Sequence, residues 1–228
     1  MYSKKFNAFI DMWRNDYAME KSIDEQMCVD KEGNPLPWYT YPAIEYLRQF
    51  DYRCKKIFEF GTGYSSLFWA KRAAQVVAVE DNQEWFARWQ KELKADNLQI
   101  KLCQNDDYEA ELDEQFDVIV IDGKKRRQCA QRALQFLNDG GMIIVDDSDR
   151  VNNSSEYKMM LAELKNAGLL QIDFFGCCPM NNFTKVTSIF FSRNFDFPLG
   201  SAVQPANAIG NLWSKGRKAR KAFYRENK

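Results

Sequence analysis

Short apolar runs alternate with amphipathic stretches through the middle of this 228-residue chain. Apolar residues crowd positions 56–60, 76–80, 98–103, 117–121 and 142–146, five segments of strand length. Between and after them, 64–74, 82–95, 126–138 and 154–167 repeat apolar residues at helical spacing. That βαβα rhythm predicts a doubly wound α/β fold with a mostly parallel sheet, because strands covered on both faces read as continuous apolar runs. Gly168 follows the last helical stretch as a stop. Two further strands, Leu170–Phe175 and Val186–Phe191, flank a loop holding Gly176, Pro179 and two asparagines, so an antiparallel pair should close the sheet.

The flanks read differently. Lys4–Asp16 places Phe6, Phe9, Ile10 and Trp13 at helical spacing among charged residues, which predicts an amphipathic helix docked on the body. Residues 20–36 are polar, end in Gly33-Asn34-Pro35 and read as a loop. The aromatic knot Pro37-Trp38-Tyr39-Thr40-Tyr41-Pro42 leads into a helix, Ala43–Phe50. Its rings either lie over the core or wall a pocket at the mouth of the sheet. Three parts result: a helical and aromatic cap over 1–50, an α/β domain over 51–193, and an irregular segment with a basic tail over 194–228.

Overall neutrality hides an uneven charge distribution. Trp213–Lys228 carries seven cations against Glu226 alone, leaving the rest of the chain at −6. The plain reading is a solvated helix pairing with the acidic body. The alternative is contact with nucleic acid or an anionic membrane surface through Trp213, Phe223, Tyr224 and the cations. No apolar run approaches the ~20 residues that span a bilayer. Met1–Tyr17 lacks the apolar centre of a secretory signal. The six cysteines form no Cys-x-x-Cys pair and read as reduced thiols, so a cytoplasmic setting is expected. With no histidine in the chain, histidine-based triads and zinc hydrolase sites are excluded.

The chemistry concentrates at Lys55–Ser66 and Val76–Glu80. An apolar run ends in Glu59 and turns through Gly61-Thr62-Gly63; Glu80 follows Gly61 by nineteen positions. At that spacing a strand–turn–helix–strand unit brings a carboxylate to the ribose of an adenine nucleotide lying over the turn. A dinucleotide site would want a third glycine where Ser66 stands, and Glu59 would repel a pyrophosphate. S-adenosylmethionine, with its sulfonium, α-ammonium and ribose diol, offers partners to both Glu59 and Glu80.

Here the chain resembles the class I S-adenosylmethionine-dependent methyltransferases. Glu59-Phe60-Gly61-Thr62-Gly63-Tyr64-Ser65 resembles that family's first motif, and Glu80 its ribose-binding acid. Asn105-Asp106 resembles the acid that contacts the adenine amino group. Phe116–Asp122 resembles the fourth-strand motif, and Leu137–Asp146, with Gly140-Gly141, the entry to the fifth strand. The resemblance spans roughly residues 38–192 and implies a seven-stranded, Rossmann-like methyltransferase sheet. It also implies a cofactor site at Glu59, Gly61, Thr62, Gly63, Ser65, Glu80, Asp106 and Asp122.

Asp122, Asp146 and Asp147 further resemble the metal-binding acids of the catechol-type O-methyltransferases, with Lys125 at the position of their base. That likeness implies Asp122, Lys125 and Asp147 as catalytic residues and Mg²⁺ as a second cofactor. The run Lys124-Lys125-Arg126-Arg127 departs from that pattern. It leaves open that Asp122 caps a helix, that Asp147 pairs with Arg126 or Arg150, or that the arginines hold an acidic substrate. The expected activity is methyl transfer to an oxygen or nitrogen of a small molecule. Two rivals stand beside it: a catalytically silent protein of this fold that docks on anionic partners through its tail, and an aminopropyl- or nicotinamide-using enzyme on a similar sheet.

Overall fold

The computed structural model describes residues 3–104, 108–213 and 215–226. Its strands are β1 Lys56–Phe60, β2 Gln75–Glu80, β3 Leu98–Leu102, β4 Phe116–Ile121, β5 Leu137–Val145, β6 Leu170–Cys177 and β7 Thr184–Phe191. They form one sheet in the order β3-β2-β1-β4-β5-β7-β6. The first five run parallel, and β7 lies antiparallel between β5 and β6. The doubly wound, mostly parallel sheet with an antiparallel end is the architecture expected.

The helices are α1 Lys4–Asp11, α2 Met19–Asp24, α3 Tyr41–Leu47, α4 Tyr64–Ala70, α5 Gln83–Glu92, α6 Arg126–Phe136, α7 Ser155–Asn166 and α8 Gly216–Glu226. Local chemistry sets several ends. Asn82 accepts from Trp85 N at 2.9 Å to cap α5, and Ser154 accepts from Tyr157 N at 3.4 Å to cap α7. Gly168, at φ +87°, ends the turn after α7 in the left-handed region that glycine enters freely.

Several boundaries differ from the sequence reading; α4, for one, ends at Ala70 rather than 74, and α3 runs Tyr41–Leu47. The first helix ends at Asp11 and continues as a π-helical turn, Met12–Asp16. Met19–Asp24 is helical rather than loop; Ala18 turns the chain at φ +52°, and buried Ser22 exchanges hydrogen bonds with Val29. Six polar-rich residues are too short to display a period. Strand β5 starts at Leu137, which pairs with Phe116 before a register shift restores Met142 opposite Val118. Gly141 sits in that irregularity, where a Cβ would stand 2.6 Å from Asp117 O.

Alternating strand residues feed two cores, one on each face of the sheet. Ile57, Val76, Val118, Val120, Ile144 and Ile189 pack with Tyr41, Ile44, Leu47, Phe68 and Trp69. Phe58, Phe60, Val79, Ile119, Ile121, Val145 and Phe190 pack with Cys129, Ala133, Met160 and Leu164 from α6 and α7. Each fully buried side chain of this size stabilises the fold by roughly 1.5–3 kcal/mol. Both covers leave open the edge where the parallel strands end at their carboxyl termini. Beyond the sheet, the basic segment forms α8, with Lys215 ion-paired to Asp16 at 2.6 Å and Arg220 over the Trp213 ring at 4.7 Å. Among the described residues, no helix is long and apolar enough to cross a membrane.

Candidate active site

A cavity of about 760 Å³ opens over the carboxyl ends of β1, β2, β4 and β5. Its floor begins at the turn after β1. Gly61 adopts φ +109°, and a Cβ there would stand 3.3 Å from Gly123 N, so the β1 and β4 turns pack backbone to backbone. Gly63 is different: its backbone is extended at φ 168°, and the nearest atom to an added Cβ is Ser65 Oγ at 3.9 Å. Gly63 leaves space for a ligand.

Glu59 lines the cavity from inside β1, yet is almost wholly buried. Ser66 Oγ donates to its Oε2 at 2.6 Å. Burial pushes the carboxyl up to about 8; Ser65 and Ser66 pull it down, while Asp122 and Glu80 raise it further. A buried acid so poor in positive partners is suited to a cationic ligand. Glu80, at the tip of β2, is engaged by four donors. Oε2 accepts from Thr62 N (3.2 Å) and Thr62 Oγ1 (3.0 Å), and Oε1 from Asp81 N and Asn82 N (3.0 Å each). A carboxylate offers about four acceptor sites, so any further donor would have to displace one of these, and the rotatable Thr62 hydroxyl is the one able to leave. Trp85 Nε1 donates to Thr62 O at 2.7 Å, and the Trp85, Trp89 and Tyr64 rings build an aromatic wall beside them.

The other end of the cavity is strongly charged. Oxygens of Asp122, Asp146 and Asp147 lie within 4.8 Å of one another, as metal ligands would. The cluster already holds cations. Lys185, rising from β7 and only 8% exposed, donates from Nζ to Asp146 Oδ2 and, at 2.9 Å, to Asp147 Oδ1. Arg126 is folded across the floor: Nη2 meets Asp122 Oδ1 at 2.8 Å, and Nη1 donates to Asp146 O. Arg150 Nη2 donates to Asp147 Oδ2 at 2.6 Å, and Thr187 Oγ1 to Asp146 Oδ1 at 2.7 Å. Burial, then Asp122, pushes Asp146 upward against the pull of Lys185. Burial alone would raise Asp147 and lower Lys185. Their mutual attraction wins, so Asp147 lies below and Lys185 above its ordinary range. Three acids face three bases, and the donor set does not fit a divalent ion as it stands.

Residues 58–148 match the family model described as a methyltransferase domain. That segment is similar to a methyltransferase domain over two-fifths of the chain. Solved structures share its fold at low identity. A Staphylococcus aureus protein proposed to be a caffeoyl-CoA O-methyltransferase matches at TM-score 0.54 and 17% identity, over 83% of this chain and all of that one. The O-methyltransferase TomG from Streptomyces achromogenes, solved with S-adenosylmethionine, matches at TM-score 0.51 and 17% identity, over 84% and 91% of the two chains. A precorrin-6y C5,15-methyltransferase from Geobacter metallireducens matches at TM-score 0.51 and 13% identity, over 75% and 96%. A search of curated proteins finds no match by sequence.

Within the matched segment, Glu59, Gly61, Thr62, Gly63, Ser65, Glu80, Asp122, Asp146 and Asp147 all line the same cavity. Asp106 lies outside the described residues. Lys125 is placed differently from the expected base: it takes the left-handed conformation (φ +47°) just before α6 and is not among the cavity-lining residues, whereas Lys124 and Arg126 are. The aromatic knot divides, with Trp38, 40% exposed, on the cavity wall and Tyr39 and Tyr41 buried in the core. Sequence reasoning missed Lys185. Its signal was a lysine and two hydroxyl residues, Thr187 and Ser188, interrupting an otherwise apolar buried strand.

Proposed function

We propose that this protein is an S-adenosylmethionine-dependent methyltransferase acting on a nucleophilic atom of a small molecule. One observation carries the reading: Glu59 and Glu80, at the ends of adjacent strands, border the same cavity, with open space over Gly63 between them. Glu80 and the Thr62 hydroxyl meet the ribose diol, the Trp85 side forms the adenine wall, and Glu59 faces the cationic methionine portion. Bound there, S-adenosylmethionine supplies a methyl carbon whose bond to sulfur breaks as the bond to the acceptor forms, the electron pair remaining on sulfur.

The protein's own part is positioning and proton handling. Holding the acceptor ~3–3.5 Å from the methyl group in the cavity supplies most of the acceleration such a displacement needs. Arg126 fixes Asp122 through Oδ1, and Oδ2 is assigned to take the acceptor's proton. Since the acidic cluster is already neutralised by side chains, no step is routed through a metal. Calorimetric titration with S-adenosylhomocysteine tests the reading: binding is expected, and its absence at millimolar ligand would overturn the cofactor assignment.

A further inference from the structure

Among the described residues, the three carboxylates at this end of the cavity are each engaged by side-chain donors, and Lys185 bridges two of them. Lys185 Nζ sits between Asp146 and Asp147, Asp146 Oδ1 is taken by Thr187, Asp147 Oδ2 by Arg150, and Asp122 Oδ1 by Arg126. A divalent ion entering this cluster would have to expel the ammonium, because both would claim the same carboxylate oxygens. Lys185 pairs with Gly176 of β6 and is only 8% exposed, so its stem is held nearly enclosed with the ammonium against the two carboxylates. Met180, Asn181 and Thr184, beside it on the cavity wall, make this the end left for an acceptor once Glu59 and Glu80 are occupied.

The geometry points to Lys185 as the fixed cation that holds the acceptor's nucleophilic oxygen in place of a metal ion. This rests on the methyltransferase reading and names its acceptor class. An ammonium has three N–H donors; Asp146 and Asp147 take two, leaving one for a ligand in the cavity. A hydroxyl or phenol oxygen can accept that hydrogen bond on one lone pair and attack the methyl carbon with another. An amine nitrogen has a single lone pair, so the same hydrogen bond would consume the electrons needed for attack. Oxygen acceptors are therefore selected over amines. In the transfer the O–C bond forms, the C–S bond breaks with its pair left on sulfur, and the acceptor proton passes to Asp122 Oδ2. Lys185 keeps its protons throughout and stabilises the oxygen as it sheds its own.

Metal binding gives the first test, read by terbium luminescence and by the change in melting temperature on adding Mg²⁺. Chelator-treated wild type should bind neither ion in the cavity, whereas Lys185→Ala, which bares the three carboxylates, should bind Mg²⁺ at least about tenfold more tightly than wild type. Should Lys185→Ala not fold, Lys185→Gln and the wild-type titration still decide. Tight metal binding by wild type that Asp146→Asn abolishes would overturn the proposal. S-adenosylhomocysteine titrated into the same samples keeps the two readings apart: failure there removes the methyltransferase assignment, while metal binding with that affinity intact removes only the role of Lys185. Matched phenol and aniline acceptors then test the class. Methyl ethers alone are expected, with transfer lowered about 100-fold in Lys185→Gln; N-methyl products from wild type would overturn the oxygen assignment while leaving methyl transfer standing.

Discussion

Gly61 and Gly123 stand back to back: a Cβ on either would lie 3.2–3.3 Å from the other's backbone nitrogen. Gly123 is tighter still, since its Cβ would meet Tyr108 Oη at 2.3 Å, and that ring is fully buried with its hydroxyl bonded to Val79 O. Gly123→Ala should therefore destabilise by roughly 1–3 kcal/mol through overpacking, and Gly61→Ala by a similar ~1–3 kcal/mol because its φ is positive. Gly63→Ala should behave oppositely, with stability changed by less than about 0.5 kcal/mol but S-adenosylhomocysteine affinity clearly weakened. Urea unfolding and calorimetry on the three variants check this. Equal destabilisation at Gly63 would mean that its space serves the fold and not a ligand.

Glu59 makes stability fall as pH rises. Its folded pKa, raised to about 8 chiefly by burial, exceeds the ~4.3 of an unfolded glutamate. Between those values the folded chain holds a proton the unfolded chain has lost. The Glu59 contribution is thus intact below about pH 4 and declines by at most roughly 1.4 kcal/mol per unit up to about pH 8. Glu59→Gln should flatten this slope in denaturant melts across pH 5–8. Ligand binding has the opposite sign: a cationic ligand favours the ionised acid, so the affinity for S-adenosylmethionine, which carries the sulfonium, should rise with pH towards 8 in wild type and stay level in Glu59→Gln.

Much of this was readable before any coordinates. The strands showed as apolar runs because both sheet faces are covered, and Glu59, Gly61, Gly63 and Glu80 lie within a single local strand–turn–helix–strand unit. What sequence could not supply was pairing across distance. Lys185 meets Asp146 only because β7 inserts antiparallel beside β5, and nothing local in either segment announces that neighbour. Lys125, expected as the base, is not among the cavity-lining residues, whereas Arg126 is. The left-handed backbone of Lys125 shifts the helix start, turning Arg126 into the floor of the cavity.

Glu80 joins two tasks that substitution can separate. Glu80→Ala strips acceptors from three backbone N–H groups, those of Thr62, Asp81 and Asn82, and should cost both stability and affinity. Glu80→Gln retains an acceptor for part of this network, yet loses the charge that the proposed reading sets against the ribose diol. It should stay folded while binding S-adenosylhomocysteine roughly 10–100-fold more weakly, the ~1.5–3 kcal/mol typical of a charged hydrogen bond. The decisive control is a ligand lacking the ribose hydroxyls. Wild type and Glu80→Gln should bind it alike, and a persistent difference would place the contact elsewhere on the nucleoside.

The basic helix α8 should be separable from the cavity. Its ion pair to the body, Lys215–Asp16, is partly solvated, and such pairs contribute only about 0–1 kcal/mol. Trp213 is 60% exposed, with Arg220 stacked over it rather than driven into the core. By contrast, Gly210 packs directly on Met12, and Ile209 N donates to Glu45 Oε1 at 3.3 Å, so the segment before the helix belongs to the fold. A chain ending at Gly210 should melt within a few degrees of the full protein and keep its S-adenosylhomocysteine affinity, while loss of Gly210 itself should not be tolerated as well. If the shorter chain loses ligand affinity, the helix reaches the cavity in solution and the two functions are coupled. If it loses only binding to anionic vesicles or RNA, measured by sedimentation, the tail carries a second activity independent of methyl transfer.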